Sequence, residues 1–284
     1  MAYPTIEMVL IIIYVIVVIA AVILNGIILK YLNKKPLGKQ TLIDPMIKDL
    51  IVLGFGAMAT SAQPIFGLGL PLKENVALAF IFAQIFANNA WFIQNITLIT
   101  TKYLSIFHAG LMASLSISDG KFVKIIRIGN FLIASLFLAY EVLTHDFKRG
   151  PAFKYLVGKP DPTAKMLPLP TVKLVLFTNI IAMAISQVKI AHYKRQGQHR
   201  RSGRTYSLKT LRLVAFIAAI VGLISLVRMT GFVLYDFTKI TLQQVYHILA
   251  TSALFNVLPA IFIWKNKNTK KFAIKQMRTA CDWS

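Results

Sequence analysis

The sequence has little of what a soluble or secreted protein needs. It contains one cysteine, Cys281, in 284 residues, so no internal disulfide can form. Only 15% of the residues are charged, whereas soluble domains carry about 25%. Acidic residues are scarcest, with 10 Asp and Glu against 32 Lys and Arg. These shortages exclude a soluble enzyme, a disordered chain and a disulfide-stabilised secreted domain.

The chain has instead an excess of long apolar runs, with 56% hydrophobic residues and a mean hydropathy of +0.64. A membrane-spanning helix needs about 20 mostly apolar residues. Seven segments have this character: Met8–Leu29, Leu50–Leu70, Asn75–Thr101, Ile128–Tyr140, Leu174–Val188, Leu213–Val227 and Ile240–Trp264. The sequence therefore predicts an all-α integral membrane protein whose residues 1–264 form a seven-transmembrane helix bundle.

The basic residues are distributed unevenly between the loops. Of the 32 Lys and Arg residues, 23 fall in one alternate set of loops, which includes residues 189–212 and the tail from Lys265. Cytoplasmic loops carry the excess of basic residues in membrane proteins. We therefore expect a plasma-membrane protein with an extracellular N-terminus and a cytoplasmic C-terminus. The cations are expected to contact anionic lipids rather than nucleic acid. A second interpretation of the basic loop at residues 189–212 is that it binds a cytoplasmic partner.

Polar side chains recur in the outer half of three predicted spans. Intramembrane polar groups face the bundle interior or a cavity, because lipid does not solvate them. In the third span the polar positions share one helical face by their spacing. Such residues predict either hydrogen bonds between helices or contacts with a ligand. The candidate ligand-binding residues are Gln84, Asn88, Trp91, Arg228, Gln244 and His247.

Three further polar residues predict a core network. Asp49 lies some two turns inside the second span, if its helix begins near Thr41, and a carboxylate there must be protonated, paired or bound to a cation or water. Asn25 in the first span is its expected hydrogen-bond neighbour, and Asn95 is the deepest polar residue of the third span.

No catalytic or metal-binding pattern is visible in the sequence. We find no paired carboxylates, no glycine-rich phosphate loop, no His/Cys cluster and no nucleophile elbow. The sequence therefore predicts a protein that is not an enzyme and that needs neither a cofactor nor a metal.

The ends of the third and seventh spans carry two recognisable motifs. The third span ends Leu-Ile-Thr-Thr-Lys-Tyr-Leu-Ser-Ile (98–106), and the seventh ends Leu-Pro-Ala-Ile-Phe-Ile-Trp-Lys (258–265). With Asn25 and Asp49, these motifs make the chain resemble a divergent rhodopsin-like (class A) G-protein-coupled receptor, similar to invertebrate chemosensory receptors. The resemblance covers the topology of nearly the whole chain.

The resemblance implies a role for several residues. It implies that Thr101, Lys102 and Tyr103 correspond to the family's Asp/Glu-Arg-Tyr motif and, with Arg200 and Arg201, contact a heterotrimeric G protein. It also implies an activation switch at Pro259 and Phe262. Residues 265–284 would form a short amphipathic eighth helix, with Ala273 on its apolar face and Cys281 as a lipidation site.

The chain departs from the family pattern at three points. Thr101 cannot form the ion pair of the family's acid, the sixth span lacks the Cys-Trp-x-Pro motif, and the usual disulfide is impossible. The loop between the fourth and fifth spans must therefore be held by packing and hydrogen bonds.

The leading functional hypothesis is a receptor that senses an extracellular small molecule or peptide and signals to a G protein. The alternative is a membrane transporter or channel that uses Asp49, Asn95 and Arg228 as a polar path. A seven-helix protein with the receptor fold but no coupling is a third possibility.

Overall fold

The computed structural model describes residues 5–34, 43–61, 71–108, 119–159, 169–195, 263 and 267–281. Almost all of these residues are in helices, and these ranges contain no β-strand. Their α-helices are α1 (Thr5–Lys34), α2 (Ile43–Ser61), α3 (Glu74–Phe107), α4 (Asp119–Thr144), α5 (Pro151–Leu156), α6 (Pro170–Arg195) and α7 (Lys267–Cys281). A 3-10 turn, Phe147–Arg149, precedes α5.

Three of these helices are long and apolar enough to cross a membrane. The qualifying stretches are Val15–Lys34 in α1, Glu74–Ser105 in α3 and Gly120–Thr144 in α4. Large apolar side chains on α1 and α4 face outward, and Ile16 and Leu136 are 61% and 67% exposed. Such contiguous apolar surface is typical of a protein in contact with lipid. The chain is therefore a membrane protein.

Four of the seven predicted spans lie within the observed helices α1, α3, α4 and α6. The second predicted span lies in α2 as far as Ser61, and its residues 62–70 are outside the described residues. The sixth and seventh predicted spans, Leu213–Val227 and Ile240–Trp264, lie outside the described residues except for Ile263. Residues predicted to form an amphipathic helix after the last span form α7.

α2 begins at Ile43, before the apolar run Leu50–Leu70 and close to the start near Thr41 that is expected for the helix of Asp49. Proline is tolerated in the first turn of a helix, where its missing N–H has no intrahelical partner, so Pro45 does not prevent this start. Asp44 in the same turn lies close to the positive end of the helix dipole. The local chemistry of a helix start thus extends α2 beyond its apolar part.

α3 is the central helix of the described part of the protein. It contacts α2, α4, α5 and α6, and seven consecutive residues, 89–95, are all buried. A run of seven residues turns almost twice around a helix of 3.6 residues per turn. Protein therefore surrounds α3 on every side at this level.

The main apolar core joins α1, α2 and α3. One face of α1 is buried along Ala21, Asn25, Ile28 and Leu32, which are spaced by four, three and four residues. This face packs with Met46 and other residues of α2 and with the middle of α3.

A second apolar cluster fastens residues 145–159 to the beginning of α3. Phe147 packs edge to face on Phe82, with ring centroids 5.4 Å apart. The Leu72 N–H donates to the Leu156 carbonyl at 2.8 Å. The expectation that packing and hydrogen bonds hold this segment is confirmed for these residues.

α7 packs against the last turns of α1. The rings of Tyr31 and Phe272 lie 5.6 Å apart, and Lys30 Nζ donates to Gln276 Oε1 at 2.5 Å. Ala273 is fully buried, as its predicted place on the apolar face requires.

Candidate functional site

The polar side chains along α3 and its neighbours form three clusters. The first, called the ionic cluster, comprises Asp44, Asp49, Lys102 and Arg127. Arg127 Nε donates to Asp49 Oδ2 at 2.7 Å, and its Nη2 donates to Oδ1 at 2.8 Å. Two parallel bonds of this kind fix orientation as well as position. The pair therefore ties α2 to the first turns of α4.

Lys102 is half-buried on α3 and interacts electrostatically with Asp44, which is buried on α2. Thr101 before it is 4% exposed, and Tyr103 after it stacks on Phe107 with centroids 5.0 Å apart. The acid whose charge acts on Lys102 thus comes from α2, since Thr101 supplies no charge.

We expect Arg127→Lys to destabilise the protein by about 0.5 to 1 kcal/mol, because lysine cannot form both bonds and the pair is partly exposed. Unfolding of the purified protein, followed by circular dichroism during titration with a denaturing detergent, measures the change. Lys124→Gln, at an exposed base one turn earlier, is the control and should have little effect. If Arg127→Lys lowers the free energy of unfolding equally in an Asp49→Asn background, loss of the bidentate pair is not the cause of the destabilisation.

The second cluster, called the amide cluster, connects α2, α3 and α4. Gln94 is 2% exposed, and its Nε2 donates to the Met46 carbonyl at 3.1 Å. Asn130 Nδ2 donates to Gln94 Oε1 at 2.6 Å, and Thr97 Oγ1 lies 3.1 Å from Asn130 Oδ1. Buried amides require such partners because an unpaired polar group is costly away from water.

The third cluster, called the capping cluster, comprises Asn89, Glu141, His145 and Thr171. Glu141 is 0% exposed, and its Oε1 accepts from the Thr171 N–H at 2.8 Å and from Thr171 Oγ1 at 2.5 Å. Thr171 is the second residue of α6, where backbone N–H groups lack intrahelical partners. Glu141 therefore caps α6 from a neighbouring helix, and the positive end of the helix dipole favours its charge.

The remaining atoms of the capping cluster have defined roles. Thr171 has one hydroxyl proton, which it gives to Glu141, so it must accept from Asn89 Nδ2, 3.4 Å away. This fixes the orientation of the Asn89 amide, and its Oδ1 accepts no hydrogen bond within the described ranges. His145 Nδ1 lies 3.1 Å from Glu141 Oε2.

The ligand-binding residues predicted on α3 differ in their burial. Gln84 and Asn88 are half-buried, whereas Trp91 is 1% exposed and is enclosed by protein. Residues 89–95 of α3 are buried on every side, so at Trp91 the polar face that spacing predicts is buried like the other faces of the helix.

The expected neighbours Asn25 and Asp49 bind other partners. Asn25 Nδ2 donates to the Ala21 carbonyl in its own helix at 2.8 Å, while Asp49 binds Arg127. A guanidinium offers a carboxylate two charge-assisted bonds, which are stronger than one bond from a neutral amide. Asn95, the third predicted member of the core network, is 1% exposed.

Sequence reasoning missed most of the residues that the clusters use, among them Asn89, Gln94, Asn130 and Thr171. Asn89 and Gln94 fall off the polar stripe of α3, Thr171 lies in the first turn of α6, and Asn130 lies within α4. A signal was available for Glu141, which is an acid at the end of an apolar run and close to a following His. For the others, the partners are on different helices, and no spacing rule relates them.

Several predicted site residues lie outside the described residues, namely Arg200, Arg201, Arg228, Gln244, His247, Pro259 and Phe262. Cys281 is the last residue of α7. Among the described residues, no group of three His, Cys, Asp or Glu side chains is suited to hold a metal ion.

No protein-family model matches the chain, and no curated protein is significantly similar to it in sequence.

Proposed function

We propose that the protein is a plasma-membrane receptor of the seven-transmembrane, rhodopsin-like type. In this proposal an extracellular small molecule or peptide binds near the beginning of α3, and a heterotrimeric G protein binds near its end. The N-terminus is extracellular and the C-terminal helix α7 is cytoplasmic. The proposal concerns the whole chain, including the sixth and seventh predicted spans.

The observation that carries the proposal is the environment of Lys102. A basic residue at the end of a central helix, half-buried and within electrostatic reach of an acid on a neighbouring helix, is suited to a two-state contact. In one state Asp44 holds Lys102, and in the other Lys102 is released toward a partner. A ligand shifts such an equilibrium only by binding one state more tightly than the other.

The opposite half of the described bundle supports a ligand site. α4 and α6 meet α3 at the capping cluster, where Asn89 Oδ1 is a buried acceptor. In this proposal the ligand contacts the half-buried Asn88, which lies next to this enclosed cluster. The same cluster joins α6 to α4, so a contact there would act on the position of α6.

Nucleotide exchange on purified G proteins tests the coupling. The full-length protein in lipid nanodiscs is mixed with one representative of each G-protein class, and nucleotide uptake is followed without added ligand. We expect Asp44→Asn to raise basal exchange about threefold to fivefold, since loss of about 1 kcal/mol from a holding contact shifts the equilibrium by that factor. Glu74→Gln, at an exposed acid near the beginning of α3, is the control and should leave exchange unchanged.

The alternatives predict different results. If neither the wild type nor Asp44→Asn stimulates any G protein, coupling is refuted and a non-coupling receptor-like protein remains. Ion current or solute uptake in liposomes without a G protein would instead support a transporter or channel.

A further inference from the structure

A strongly basic surface lies where α7 packs against the end of α1. Lys271, Lys275 and Arg278 are spaced by four and three residues, so they share one side of α7, and all three are exposed. α7 contains no acidic residue. No ion pair within the described ranges engages these three side chains. Their charge is therefore available to an anionic partner.

The position of α7 against α1 is defined by specific contacts. Phe272 contacts Tyr31 and also lies under Lys34, whose Nζ is 5.9 Å from the ring centroid. Lys30 is bound to Gln276 one turn along α7. These contacts define which side of α7 faces α1. The ring's quadrupole attracts the cation that lies over it.

The depth of this surface follows from α1. Exposed apolar side chains extend along α1 as far as Ile23, and Lys30 and Lys34 follow in its last turns. Lysines at the end of an apolar span mark the boundary between hydrocarbon and water. α7 therefore lies at the level of the lipid headgroups.

We propose that the end of α1 and the basic side of α7 form a binding site for the phosphate-bearing headgroup of an anionic lipid in the adjacent leaflet, with Lys34, Lys271 and Lys275 as its cations. Lysine ammonium groups bind phosphate as compact point charges. Lys34 comes from one helix and the other two cations from another. The proposal depends neither on signalling nor on which side of the membrane is cytoplasmic.

Energy transfer from the single cysteine provides the test. The full-length protein carries a fluorescent donor on Cys281 and is placed in phosphatidylcholine nanodiscs with a small fraction of acceptor-labelled phosphatidylinositol bisphosphate. We expect transfer well above that from acceptor-labelled phosphatidylcholine. Lys271→Gln with Lys275→Gln should weaken the enrichment roughly twenty-five-fold, at about fivefold for each lysine near a charged surface.

The control variant removes the same charge at the opposite end of the described bundle. Lys73→Gln with Lys173→Gln changes two exposed lysines near the beginnings of α3 and α6, and it should retain the enrichment. An equal loss in both double variants would refute a local site, because it would reflect net charge alone.

A charge-neutral variant separates a built site from diffuse attraction. Phe272→Leu keeps every cation but removes the ring that holds Lys34, so enrichment should fall while the helix content by circular dichroism is retained. Unchanged enrichment would overturn the role of the α1–α7 contact. Displacement of the lipid by soluble inositol trisphosphate at equal concentration would show a site for free phosphates and overturn the lipid assignment.

Discussion

Replacing Thr171 by valine is expected to destabilise the protein by about 2 to 3 kcal/mol, which is the range for loss of a hydrogen bond to a buried charged group. Valine has the shape of threonine but no hydroxyl. Glu141 Oε1 would lose its 2.5 Å donor, and Asn89 Nδ2 would lose its acceptor. Both groups are 0% exposed, so water cannot replace the lost partners.

The measurement is detergent-denaturant unfolding of the purified full-length protein, with Thr178→Val as the matched control. Thr178 is an exposed threonine one to two turns along the same helix, and its Oγ1 donates to the Leu174 carbonyl. The control should change stability by less than 1 kcal/mol, as is usual for exposed positions. Equal effects at Thr171 and Thr178 would show that the capping cluster is not a special contributor.

A second substitution tests the charge of Glu141 directly. In the Thr171→Val background, Glu141→Gln should recover part of the lost stability, because a neutral amide is less costly to bury than an underpaired carboxylate. The two effects should therefore be non-additive, as is usual for residues in contact. Additive effects would contradict the direct bond between the two side chains.

Gly158→Ala is the second substitution with a large expected effect. It should destabilise the segment that ends at this turn by about 2 to 4 kcal/mol, because backbone strain and overpacking add. Gly158 has φ of +73°, a conformation that residues with a Cβ rarely adopt. A Cβ built there would lie 2.8 Å from Pro71 Cβ. The substitution therefore strains the turn and its contact at the same time.

We expect Gly158→Ala to loosen residues 145–159 rather than to unfold the whole protein, because Gly158 lies near the end of this segment, which covers the beginning of α3. Trypsin should cleave the variant faster than the wild type at Lys148, Arg149 or Lys154. Gly129→Ala in α4 is the control, because nothing lies within 4 Å of its Cβ position. That change should stabilise by about 0.5 to 1 kcal/mol, the usual gain of alanine over glycine within a helix. Unchanged cleavage of Gly158→Ala would contradict the fastening of this segment.

The elements of the fold were largely predictable because apolar run length and helical period are local properties. α1 and α3 follow from charge-free runs, and α7 follows from the alternation of Ala273 with Lys271 and Lys275. The start of α2 was not predictable from hydropathy, since Asp44, Pro45 and Lys48 break the apolar run. These residues are helical because a proline and an acid suit the first turn of a helix, and because Asp49 of the same helix is paired with Arg127 of α4.

The candidate site was less predictable than the helices. Helical spacing identified the stripe through Asn88 and Trp91, but it did not identify Asn89 and Gln94, which lie off the stripe and hydrogen-bond to α6 and α2. Spacing identifies a face but does not identify what covers that face. At residues 89–95, where α3 is surrounded, every face has a protein neighbour, so spacing alone does not show which residues bond to other helices.

The sequence by itself determined that this protein lies in a membrane, that its spans are helices and that a basic amphipathic helix follows them. These properties depend on composition and on periods of a few residues. Only the tertiary structure decided that Asp49 binds Arg127, that Glu141 caps α6, and that α7 packs against α1. Each of these contacts joins residues far apart in the chain, and the partner is chosen by distance and charge after the helices have packed.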